Sequence, residues 1–203
     1  MFMVRKKPNH DKMLLMKDQV LDSVRRSFKH LLDEDGHLLE CPIEEHSSYD
    51  ARKLHEVCIN HRLAIHLEKE IIRACNSKET IFVDIEFNRE GADFKNTKIN
   101  GEDKRVRPDI IIHNRKTGPK KLNLLVVECK KQGASEQDIK EDRQKIRALM
   151  KDKKYEYSFG LQVIYGRDGV KGELFFKSGT KIISEAVIYQ PQGVALNHGV
   201  AND

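Results

Sequence analysis

Residues 105–131 read RVRPDIIIHNRKTGPKKLNLLVVECKK. Two apolar runs, 110–112 and 122–127, have the length and composition of β-strands, and Gly118-Pro119 between them marks a turn. The reading is a pair of core strands joined as a hairpin. The charged residues sit at one end of that hairpin: Asp109 opens the first strand, and Glu128-Cys129-Lys130 closes the second.

Strand geometry turns this spacing into a site. Residues i and i+2 project from the same face, so Glu128 and Lys130 share a side of the sheet. The start of one hairpin strand lies beside the end of the next, which brings Asp109 close to Glu128. Two neighbouring carboxylates resist ionising together unless a cation lies between them. Such an oxygen-rich pair suits Mg²⁺, with Mn²⁺ as a substitute, because Mg²⁺ keeps waters and accepts phosphate oxygens. A lysine beside the pair supplies the ammonium that phosphodiester hydrolysis uses.

Outward from this hairpin the chain alternates helices and strands. Residues 12–32 carry Leu14, Leu21, Val24, Phe28 and Leu31 at helical spacing, and Gly36 suits a helix stop. A second helix is expected over about 50–75, apolar on more than one face and so buried between layers. Residues 80–87 alternate as a strand. The polar, glycine-containing segment from about 88 to 107 reads as a long connection, a kind often functional or mobile. A third helix is expected over 134–152, with Ile139, Ile146, Leu149 and Met150 on one stripe, then strands near 157–165, 169–176 and 182–189. This order specifies an α/β sandwich with a mixed central sheet flanked by helices. The expected division is an N-terminal helical extension at 1–48, a main domain at 49–190 and a flexible tail at 191–203.

Composition narrows the class. The chain has 203 residues, 34% of them charged, a net charge of +5 and 38% hydrophobic residues. The basic balance (pI about 8.9) favours an anionic partner. Cys41, Cys58, Cys75 and Cys129 form no CxxC pair, so free thiols in a reducing, cytoplasmic compartment are expected. No apolar leader or membrane-spanning run is present in the sequence, and no membrane partner is expected.

Pro108-Asp109 followed nineteen residues later by Glu128-Cys129-Lys130 resembles the PD-(D/E)XK nuclease superfamily, the restriction-endonuclease-like fold. The likeness covers about residues 50–166. The longer strings EVCINHRLAIHLE at 56–68, IEFNREG at 85–91, VRPDIIIHNR and LLVVECKK are similar to those of a group of small bacterial proteins within it. The resemblance implies an αβββαβ core and a Mg²⁺-dependent endonuclease acting on nucleic acid, DNA ahead of RNA. It implies Asp109 and Glu128 as metal ligands, helped by the Cys129 carbonyl, with Lys130 positioning the attacking water.

It also implies a helical carboxylate, and Glu56 matches that position. Glu56 shares a helix stripe with Asn60, Leu63 and Leu67, and a charge in such a stripe needs a partner. His55-Glu56 is no zinc-protease motif, because Ile59 stands where the second histidine would be. His61 and Arg62 are read as structural. Lys140 and Gln144 are candidates for a further helical site residue. Lys140, Arg143, Arg147, Lys151 and Lys154 fall on one side of the third helix and form a candidate nucleic-acid-binding stripe. Two further classes stay open: a catalytically inactive nucleic-acid-binding module of the same fold, and a structural subunit docking through the first helix. A homodimer is compatible with the nuclease reading and with both of these.

Overall fold

The computed structural model describes residues 15–39, 51–75, 80–90, 93–116, 121–166 and 169–190, with side chains in the second helix described from Glu56 onward. Leu14, Cys41, the 48/49 boundary, Gly118-Pro119 and the tail at 191–203 lie outside the described residues.

The first two helices are α1 (Lys17–Asp35) and α2 (Ala51–Ala74), separated by a short 3-10 turn, Gly36–Leu38. Five strands follow: β1 (Phe82–Ile85), β2 (Arg89–Glu90), β3 (Asp93–Phe94), β4 (Asn96–Ile99) and β5 (Glu102–Arg105). The opening stretch supplies β6 (Ile110–His113) and β7 (Asn123–Lys131). Then come α3 (Glu136–Lys151), β8 (Phe159–Gly166), β9 (Gly169–Ser178) and β10 (Lys181–Tyr189). The protein is mixed α/β, with one six-stranded sheet ordered β1-β6-β7-β8-β9-β10.

Within that sheet only β7 and β8 are parallel; every other neighbour pair is antiparallel. Parallel neighbours need a crossover, and α3 is that crossover. Ser135 starts it by accepting the Asp138 N–H at 3.1 Å, and Glu136 and Asp138 place negative charge in its first turn.

The central strands β6, β7 and β8 are buried on both faces. Ile110, Ile112, Leu125, Val127 and Cys129 belong to a core shared with α1 and α2. Ile111 and Val126 join Ile146, Leu149 and Met150 of α3 in a second core. Each such apolar side chain contributes roughly 1.5–3 kcal/mol by leaving water, which explains why both runs are continuous rather than alternating. The α1 stripe Leu21, Val24, Phe28 and Leu31 is buried in the first core. That face is therefore occupied within the chain, and α1 shares a core with the sheet instead of standing apart from it.

Two features set the height and brace of α3. At Gly160 on β8, a Cβ would come within 2.2 Å of Ile146 Cγ2 and 3.0 Å of Met150 Sδ, so the missing side chain lets the helix lie close on the sheet. The polar segment before β6 is not an open loop, as its composition suggested. It forms two small hairpins, β2–β3 and β4–β5. The second turns at Asn100-Gly101, whose φ values of 54° and 87° suit a tight two-residue turn. Thr97 Oγ1 then donates to Asp152 at 2.9 Å, tying this hairpin to the end of α3.

Candidate active site

Strand register assembles a polar row beneath α3. Ile110 pairs with Val127, so one residue earlier Asp109 stands across from Glu128. Glu128 pairs with Gln162 of β8, and Gln162 pairs with Glu173 of β9. Alternation keeps Glu128 and Lys130 on the face of Val126, towards α3, while Cys129 turns into the α1–α2 core. There the Cys129 thiol accepts from Tyr165 Oη at 3.1 Å, and Tyr165 Oη also lies 3.0 Å from Asn60 Oδ1.

Asp109 ends the β6–β7 ladder with its side chain. Its Oδ2 accepts the Cys129 N–H at 2.7 Å, which fixes the carboxylate at the strand fork. Two residues of α3 meet the row from above. Lys145 Nζ lies 2.5 Å from Glu128 Oε2 and 3.5 Å from Asp142 Oδ1. Lys130 Nζ lies 3.1 Å from Asp142 Oδ2. Further along, Arg143 Nε is 2.7 Å from Glu173 Oε2, and Gln162 Nε2 donates to the Ile139 carbonyl at 3.3 Å.

The electrostatics of this cluster are out of balance. Asp109, Glu128 and Asp142 bring three carboxylates against two ammonium groups, Lys130 and Lys145, so the ionised group carries one excess negative charge. Burial drives the Glu128 carboxyl well above the usual carboxylate range, with Asp109 and Asp142 adding to the rise and Lys145 opposing it. Burial raises Asp109 as well, against the pull of the Cys129 N–H. Burial works against charge on Lys145 and Lys130, yet both are raised: Glu128 outweighs it for Lys145, and Asp142 for Lys130. Glu128 Oε1 and Gln162 Oε1 are buried and accept no hydrogen bond, while Glu128 Oε2 and Asp142 Oδ2 are met by the Lys145 and Lys130 ammonium groups. Buried acceptors of this kind call for a proton, a water or a cation.

Asp109, Glu128 and Lys130 are thus brought together. Glu56 lies half-buried on α2, one turn before the Asn60 that meets Tyr165, and no three His, Cys, Asp or Glu side chains among the described residues gather at metal-holding spacing. The Glu56 charge, like that of Asp109, acts on Cys129 and Tyr165. On α3, Lys140 and Lys151 are exposed, whereas Arg143 binds Glu173. Arg147 donates to the Ile182 carbonyl at 3.0 Å and lies over the Phe175 ring, so it ties α3 to the sheet. Gln144 accepts from Asn100 at the hairpin tip and does not reach the row. Arg62 is structural, bonding Asp35 at 2.7 Å, and His61 lines an open cleft on the far side beside Val57 and Cys58.

Asp142 and Lys145 are the site residues that the sequence pattern did not single out. A signal existed. Asp142 falls in line with Ile139, Ile146 and Leu149, so a charge interrupts an apolar stripe on α3 just as Glu56 does on α2.

No family model, curated protein or solved structure matches the chain. The fit of a metal therefore rests on the donors themselves. Asp109 and Glu128 offer hard oxygen atoms, one of which, Glu128 Oε1, is buried without a hydrogen bond. These residues fit a small divalent cation of the Mg²⁺ or Mn²⁺ type.

Proposed function

We propose that this chain is a metal-dependent nuclease of the PD-(D/E)XK, restriction-endonuclease-like class, hydrolysing DNA phosphodiesters. The observation that carries the reading is the Asp109–Glu128 pair, set side by side at a strand fork with Lys130 on the same face. The element order α2, β1, β6, β7, α3, β8 supports it.

Asp109 and Glu128, with the Cys129 carbonyl, would hold the ion. When bound, Mg²⁺ would supply Lewis acidity to the phosphate and would polarise the attacking water. The chain's own groups do the rest. Cys129 N–H holds one Asp109 oxygen, leaving the other to face the site. Asp142 keeps the Lys130 ammonium protonated and aimed along the rim, where it stabilises charge developing on the attacked phosphate. Exposed Lys140 and Lys151 on α3 supply phosphate contacts away from the reacting bond.

The test is single-turnover cleavage of duplex, single-stranded and branched DNA in Mg²⁺ and in Mn²⁺, beside equilibrium binding of the same molecules. Metal-dependent cutting that Asp109→Asn removes, with folding intact, is the expected result. One observation favours a second reading, a non-cleaving binding module of this fold: Lys145 already sits on Glu128. Tight binding with no cutting in either metal makes that reading the better one.

A further inference from the structure

Lys145 occupies the carboxylate that the proposed chemistry needs. Its ammonium is 2.5 Å from Glu128 Oε2, and its side chain is 21% exposed while that of Glu128 is 1% exposed. A divalent ion and an ammonium on one carboxylate repel strongly at this depth, so the two compete for Glu128. We propose that Lys145 is a latch: it holds Glu128 until a nucleic-acid phosphate draws the ammonium away, so that metal and nucleic acid bind cooperatively. The latch rests on the nuclease reading of this site and adds its regulation.

Three features make the exchange feasible. First, lysine is a point charge on a flexible four-carbon stem, able to swing without moving its helix. Second, Asp142 Oδ1 lies 3.5 Å from the same ammonium and gives it a second anchor on the way out. Third, α3 itself is fixed. It lies close on the sheet at Gly160 and is tied through Arg147 to β10, which confines the motion to the side chain. An anionic phosphate entering beside Lys130 then offers Lys145 a new partner and frees the Glu128 oxygen. Linkage makes the effect reciprocal: whatever nucleic acid does for metal affinity, metal does for nucleic-acid affinity.

The experiment is calorimetric titration of Ca²⁺ into the full chain, with and without a short DNA duplex. Wild type, Lys145→Met and Lys145→Arg are compared, their folding checked by circular dichroism. In wild type the duplex should tighten Ca²⁺ binding by roughly 5–150-fold, the usual range of such coupling. Lys145→Met should bind Ca²⁺ alone about tenfold or more tightly than wild type, because the competing charge is gone, and its duplex effect should shrink. Lys145→Arg keeps the charge and should stay weak without duplex. Equal Ca²⁺ affinities in Lys145→Met and wild type overturn the latch and leave the nuclease reading standing. Absence of Ca²⁺ binding in all three proteins, with or without duplex, overturns both. If Lys145→Met is unfolded on its own, refolding upon Ca²⁺ addition supports the latch. Failure to refold in saturating Ca²⁺ counts against it.

Discussion

The protein buries carboxylates in two places and treats them in opposite ways. Between α1 and α2, Asp35 accepts from Arg62 and bonds His66, each at 2.7 Å. Nearby, Glu70 is fully buried and meets Arg26 at 2.6 Å and Arg73 at 2.8 Å. Burial alone would raise Asp35, but its bonds to Arg62 and His66 outweigh it and hold the carboxyl below the usual range. Beneath α3 the balance reverses. Burial wins at Asp109 and Glu128, both are raised, and Glu128 Oε1 is left without a hydrogen bond. Charge that serves the fold is matched by basic partners, whereas the charge on the sheet is held short of neutrality. Carboxylates perturbed in that second way cluster at functional sites.

The strongest test of this contrast is activity. Lys130→Ala should lower single-turnover cleavage by about a hundred- to thousandfold, the usual effect of removing one electrostatic donor from a transition state. DNA affinity should fall far less. A variant that cuts as fast as wild type would show that Lys130 serves Asp142 and not the phosphate.

Stability should separate the two clusters next. Asp35→Ala leaves the buried His66 ring without its partner and should cost about 1–3 kcal/mol in urea unfolding. Because the Asp35 pKa is lowered on folding, its stabilisation is present above the ordinary carboxylate range. It is lost as pH falls through the lowered value. The variant's deficit should therefore be full at pH 7 and shrink in acid.

Asp109 should behave with the opposite sign. Its raised pKa means that its contribution is present in acid and lost as pH rises through the folded value. Asp109→Asn keeps an oxygen for the Cys129 N–H and removes the buried charge. Its melting temperature should exceed that of wild type at pH 8, with the gap closing as pH is lowered towards 4. An Asn variant less stable than wild type at pH 8 would erase the distinction between the two clusters.

The smallest effect belongs to the rim. Replacing exposed Lys140 and Lys151 with Gln should reduce the slope of log affinity against log salt by about 0.9 for each DNA phosphate that is no longer neutralised. Arg147→Gln should act mainly on stability instead, since that side chain bonds the Ile182 carbonyl. An unchanged slope in the lysine variants would make this face ordinary solvated surface.

Much of this was legible because it follows from local pattern. The runs at 110–112 and 122–127 read as paired core strands, which the structure places at Ile110–His113 and Asn123–Lys131, and period two tells which side Glu128 and Lys130 take. The stripes of α1 and α3 likewise declared their buried faces. What failed was proximity between elements distant in sequence. Nothing local says that Arg143 reaches Glu173 on β9, or that Lys145 reaches Glu128. An even spacing of cations looked like one surface, yet two of them are engaged with the sheet, Arg143 with Glu173 and Arg147 with the Ile182 carbonyl. The β4–β5 hairpin escaped for a different reason. Its Asn100-Gly101 turn is a strong local signal, but the strands around it are too polar and exposed to read as strands.

The bond from the Cys129 amide to Asp109 makes that single backbone proton a reporter. It sits on one carboxylate of the proposed metal-binding pair, in a strand otherwise locked by its neighbours on both sides. Any ligand that draws on Asp109 changes the acceptor strength this proton feels. Its chemical shift and its exchange with solvent would register the event, with no substrate and no turnover required. A carboxylate that caps a strand and serves a site therefore writes its occupancy into the backbone, where one amide resonance can follow it.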